Sequence, residues 1–240
     1  MTFASVCLLA AMSTAEAIAT LLNTASAVGP RRFAEAQEQV EIDAKAGKPL
    51  QQFVIGVTTD DSALAKRYLE ASREKIRALA ERKNNSLAWY LLSMETKDFS
   101  ALRKAADGGN VQAMNSIGTI VIQQAIDRQD KFSTNKVERI LRQGFKYFSQ
   151  AAAMRDPNGF INLGTCYQRG YGCEVDLPLA FECFRSAAEM GHPEGMDYMS
   201  ACYQFGHGVP KNDELSLYWK MRGRSARGDA GAEKWLRERK

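Results

Sequence analysis

Residues 156–191 read DPNGFINLGTCYQRGYGCEVDLPLAFECFRSAAEMG, and this stretch decides the fold. Asp156-Pro157 opens a helix: a carboxylate caps free backbone N–H groups, and a proline stands where its missing N–H costs nothing. Leu163, Gly164 and Tyr167 then hold one face at helical spacing, the small residue leaving room for another helix. Gly170-Tyr171-Gly172 ends that helix, because glycine takes left-handed backbone angles freely. Asp176 caps a second helix with Ala180, Phe184, Ala187 and Ala188 on its buried side. Neither amphipathic helix buries its face alone, so the unit needs neighbours of its own kind.

Those neighbours are in the chain. Gly47, Asn84, Gly109, Arg155, Gly191 and Gly228 align as one position, at intervals of 37, 25, 46, 36 and 37 residues. Four residues on stand Gln51, Ala88, Ala113, Gly159, Gly195 and Ala232, and nine on stand the small residues Gly56, Ser93, Gly118, Gly164 and Ser200. The pairs Ala105-Ala106, Ala151-Ala152 and Ala187-Ala188 precede three of the anchors. Lys48-Pro49 and His192-Pro193 repeat the helix start of Asp156-Pro157. Self-similarity at this period marks a helical solenoid and directs the functional question toward surfaces.

The run Leu163-Gly164, Tyr167, Gly170, Gly172, Asp176, Ala180, Phe184, Ala187-Ala188 and Gly191 resembles a Sel1-like repeat, a relative of the tetratricopeptide repeats. The next copy keeps Tyr203, Gly206, Gly208, Val209 and Trp219, with Ser200 at the small position. The resemblance is close over 155–230, looser over 84–154 and rests on register over 30–83. The stretch from Gly109 to Arg155 is ten residues over length without the paired-glycine loop, and the unit from Asn84 keeps only Met94 to Asp98 for a turn. The resemblance implies an all-α fold, a right-handed α-solenoid of antiparallel helix pairs. Its expected segments are an apolar opening helix over 1–29, repeats over 30–228 and a basic capping helix over 229–240. The β-like run Gln52–Thr58 (QFVIGVT) falls in the middle of a first helix of a repeat and is read as helix against its local propensity.

Composition agrees with that reading. The chain has 240 residues, 45% apolar and 25% charged, enough for a substantial core. Residues 1–28 are apolar with Glu16 as the only charge, and the first basic residue is Arg31, so the basic start of a secretory signal is missing. A retained opening helix and a cytoplasmic protein are expected, the alternative being an atypical export signal. Five cysteines are present: Cys7, Cys166, Cys173, Cys183 and Cys202. They read as free thiols used as small apolar residues. A cysteine-rich branch of the resembled family joins the two helices of a repeat by disulfides, and some members have been discussed as enzymes acting on β-lactams. That supplies the alternative function, to which Cys166 facing Cys183 would belong.

Chemistry is sparse. No phosphate-binding loop, dinucleotide glycine pattern or nucleophile elbow occurs, and the only histidines, His192 and His207, fall at a helix cap and in a glycine loop. Without C-x-x-C or clustered histidine, no metal or cofactor is expected. Glu194 and Asp197, three apart on one helix, are read as a solvated face and not as an acid–base pair. Residues 217–240 hold eight Lys/Arg against three acids, a net of +5, while the rest of the chain nets −1. Trp219 and Trp235 interleave with these charges. A closing helix is preferred to a nucleic-acid surface here, and an acidic protein partner suits either.

The resemblance implies a non-enzymatic interaction scaffold, and the chain is expected to bind a protein or peptide. On each repeat's first helix, positions three, six, ten and thirteen past the anchor adjoin the core stripe and face the concave side in related solenoids. The expected partner-binding residues are Tyr90 and Met94; Gln112, Asn115 and Thr119; Asn158, Ile161, Thr165 and Gln168; and Glu194, Asp197 and Gln204, with Arg169 and Phe205 one position further on. Amides, hydroxyls and a few aromatics suit a groove that holds a peptide backbone.

Overall fold

A computed structural model describes residues 40–58 and 61–239. The opening segment 1–29 and Cys7 lie outside the described residues. Within them the chain is helical, with no strand. It divides into two compact units, 1–110 and 111–240.

The first unit holds α1 (Pro49–Thr58), α2 (Ser62–Lys83), α3 (Ser86–Thr96) and α4 (Phe99–Asp107), preceded by helical residues 40–45. Helix α1 packs on α2, and α3 on α4. The β-branched run 52–58 is helical as expected, because Phe53 and Val54 are fully buried beside Val40, Ile76 and Leu91 and tertiary burial outweighs local propensity. The short unit from Asn84 keeps both of its helices by turning tightly at Lys97, which adopts left-handed angles, with Asp98 capping α4.

The second unit holds α5 (Val111–Asp127), α6 (Thr134–Ala153), α7 (Pro157–Arg169), α8 (Leu177–Glu189), α9 (Pro193–Phe205), α10 (Asp213–Ala226) and α11 (Ala230–Arg237). Each helix packs on the next, and α7 also touches α5 and α9, so first helices lie beside first helices. The excess length after Gly109 resides in the helices: α5 and α6 have 17 and 20 residues against 13 and 13 in α7 and α8. At ~1.5 Å per residue they run about 6 and 10 Å longer than the next pair.

The aligned positions share one geometry. Gly47, Asn84, Gly109, Arg155, Gly191 and Gly228 all have positive φ, at 83, 45, 87, 59, 86 and 90°. This left-handed residue reverses the chain between repeats, which is why glycine holds four of the six places. At Gly109, Arg155, Gly191 and Gly228 the next residue donates its N–H to the carbonyl five back, on Ala105, Ala151, Ala187 and Arg224. The small pairs before three of the anchors follow from packing. A Cβ on Gly159 would sit 2.6 Å from the Ala152 nitrogen, and one on Gly195 2.7 Å from that of Ala188. The position nine past the anchor is equally tight, since a Cβ on Gly164 would meet Phe184 at 2.7 Å and one on Gly118 would meet Phe148 at 2.5 Å.

The glycine loops repeat bond for bond. Tyr171 and Asp176 donate N–H bonds to the carbonyls of Cys166 and Tyr167, as His207 and Asn212 do to Cys202 and Tyr203. Asp176 and Asn212 then accept from the backbone N–H groups of Leu179 and Leu215. Edge-to-face pairs tie successive repeats together: Phe145 with Tyr167 at 5.5 Å and Phe181 with Tyr203 at 5.6 Å.

Candidate functional site: the first-helix face

The expected site residues lie in both units. In the first, Tyr90 and Met94 share α3, but Tyr90 is buried, whereas Met94 is open to solvent. In the second, Gln112, Asn115 and Thr119 come from α5, Asn158 to Arg169 from α7, and Glu194 to Phe205 from α9. Ile161 is the exception there, only 4% exposed. Tyr90 and Ile161 are therefore packing residues and not contact residues. The reason is that a first helix is held on two sides. Helix α7 meets its own second helix, α8, and also its sister helices α5 and α9. An apolar side chain at stripe register is drawn into that contact, while polar ones reach solvent.

Within the second unit the remaining residues form a largely polar surface with internal order. The Asn115 side-chain amide donates to Asp156 Oδ2 at 2.7 Å, and Asn162 donates to Asn115 Oδ1 at 3.3 Å. Asp156 also caps α7 by accepting from the Gly159 N–H. One carboxylate thus fixes a helix start and an asparagine of the neighbouring repeat. Gln168 Nε2 stands 3.4 Å from His207 Nδ1, linking two repeats at the glycine loops. Asp197 is ion-paired with Arg227, the residue before the last anchor. Gln112, Thr119, Asn158, Glu194 and Gln204 are at least partly exposed, and Phe205 is 55% exposed at the end of α9.

Asn162 and Arg227 belong to this surface and were not among the expected residues. Asn162 stands one position past the stripe, and Arg227 is fixed by the turn at Gly228. His192 stands at a helix cap as expected, but not in the way a capping residue usually does. It occupies the cap position of α9 without a capping bond, and neither ring nitrogen has a hydrogen-bond partner. Burial pushes its basicity down, as does Arg227, while Asp156 and Asp197 act the other way.

The four described cysteines are free thiols. Burial pushes Cys166 up to about 12, Cys183 and Cys202 to about 11, and Cys173 upward. A thiol held protonated is a poor nucleophile, so these groups act as packing atoms. Cys173 donates its S–H to the Cys166 carbonyl at 3.4 Å. Among the described residues no three His, Cys, Asp or Glu side chains group as a metal site, and no helix is long and apolar enough to cross a membrane.

Stacked antiparallel helix pairs with a left-handed junction and a twin-glycine loop define a helical repeat protein. Part of the second unit matches a known family: the model of the Sel1 repeat covers residues 137–156, 161–192 and 193–219. Sel1 repeat proteins are in general protein-interaction scaffolds. No curated protein matches the sequence. Among solved structures, a protective antigen of uropathogenic Escherichia coli with an SLR fold is 20% identical with a TM-score of 0.53, covering 85% of this chain and 45% of its own. A Sel1 repeat protein from Oxalobacter formigenes is 22% identical with a TM-score of 0.45, over 53% of this chain and 90% of its own. The likeness to the antigen concerns the fold alone.

Proposed function

We propose that this protein is a non-enzymatic adaptor that holds an extended segment of a partner protein on the first-helix face of its second unit. The observation that carries this reading is the ordered polar layer across α5, α7 and α9. Asn115, Asp156 and Asn162 are already fixed by one another, so little side-chain freedom is lost on binding. Around them Gln112, Asn158 and Gln204 offer side-chain amides, which donate to peptide carbonyls and accept from peptide N–H groups. The exposed Phe205 provides an apolar contact at one edge. The alternative, a disulfide-pinned enzyme, has no support here: among the described residues the cysteines are free thiols.

The test is direct binding of a partner recovered by affinity capture, with wild type compared to Gln112→Ala/Asn158→Ala/Gln204→Ala. These side chains support no helix cap, so the variant is expected to melt like wild type and to bind at least tenfold more weakly. Undiminished affinity in the folded variant would move the site off this face.

A further inference from the structure

We propose that the groove between α10 and α11 is a second docking site, for an acidic peptide segment bearing an aliphatic or aromatic side chain. It goes beyond the first-helix reading and does not depend on it. The groove encloses about 740 Å³. Leu215 and Tyr218 of α10 and Trp235 and Leu236 of α11 line it. Leu215 and Tyr218 are 37% and 38% exposed, so the apolar wall stands open to solvent.

The charges at its mouth select the partner. Arg239 lies over the Trp235 ring at 4.3 Å, and Arg222 over the Trp219 and Tyr218 rings at 5.0 and 5.8 Å. A guanidinium stacked on a ring keeps its N–H edge free for a carboxylate. Nearby Arg224, Arg227 and Arg237 are paired with Asp229, Asp197 and Glu233. Arg222 and Arg239 have no such ion pair among the described residues. The two arginines of segment 217–240 left without a carboxylate therefore both line the groove, while Lys220, likewise outside the ion pairs, stands apart from it. The net charge of that segment is +5.

A nucleic acid fits less well. Its bases would find rings to stack on, but Glu214 and Glu233 also line the groove and would oppose a continuous run of phosphates. A peptide places its carboxylates singly, and its backbone N–H groups are donors for Glu214.

The probe is a fluorescein-labelled peptide, Glu-Glu-Leu-Glu-Phe-Glu-Glu, titrated with the full chain at low salt and read by anisotropy. Saturable binding is expected, at least tenfold weaker for Arg222→Gln/Arg239→Gln. Probes with Gln for every Glu, or with Ser for Leu and Phe, should each lose a similar factor. The variant Gln112→Ala/Asn158→Ala/Gln204→Ala should bind the probe like wild type, which separates this groove from the first-helix face. No saturable binding by wild type, or full-strength binding by a folded Arg222→Gln/Arg239→Gln variant, overturns the proposal. Tighter binding of a thymidine oligonucleotide that the double variant loses would assign the groove to nucleic acid instead.

Discussion

Gly164 shows how little room the repeat leaves a single residue. A Cβ there would lie 2.7 Å from a Phe184 ring carbon and 3.1 Å from the Ala180 carbonyl oxygen, and Phe184 is itself fully buried. The ring has no solvent-facing space to retreat into, so the clash must be relieved by moving helices apart. Gly164→Leu is expected to destabilise the protein by about 1–3 kcal/mol, as overpacked core sites do. Gln204→Leu, at an exposed position of α9, should stay within about 0.5 kcal/mol of wild type. Chemical denaturation of the two variants in parallel checks the pair, and equal midpoints would remove the packing role of the position nine past the anchor.

Helix α9 is capped by the wrong kind of residue. Asp156, Asp176, Asn212 and Asp229 each accept a backbone N–H at the start of their helices, whereas His192 accepts none. Its ring is buried at the positive end of a helix, where a second positive charge is unwelcome. Burial above all therefore lowers the imidazole pKa of the folded state from the ordinary value of 6.5. Above that value both states are neutral and His192 takes nothing from stability. As pH falls below it the unfolded chain takes up the proton first, and stability drops toward the lowered folded value. Thermal melts of wild type and His192→Asn should differ by a constant amount above neutrality. The wild type should lose more on going from pH 7 to 5. Parallel curves over that range would contradict the assignment. Much of the element plan was legible because it rests on sterics: turn residues, caps and small residues recur wherever the backbone is crowded. The helical state of 52–58 could be read from register, although its β-branched residues point elsewhere. Burial of Tyr90 and Ile161 could not, because a single stripe does not reveal that sister helices press on its far side. Spacing put His192 at a helix cap but could not reveal that its ring makes no bond there.

At the scale of the molecule, each unit has its own core, the first around Phe53, Ile76 and Leu91 and the second around Phe148, Phe184 and Met199. In the second unit the contacts between successive repeats are of one kind. The loop glycine Gly172 seats on the backbone of Leu141, and Gly208 on that of Leu177, each in the second helix of the preceding pair. Gly159 and Gly195 rest on the alanine pairs that close those same helices. Both of these junctions thus present one plug to one socket. The stretch 156–191 is in that sense a cassette, with a matching plug at its start and socket at its end. A second copy spliced in after Gly191 would meet at both seams the partners it already has. The lengthened chain should gain two helices' worth of circular dichroism and still melt in a single transition. Loss of that cooperative transition would show that the junctions differ in more than the residues that touch. If the graft holds, the protein's reach can be set by counting cassettes, a length adjusted by copying and with no new interface to invent.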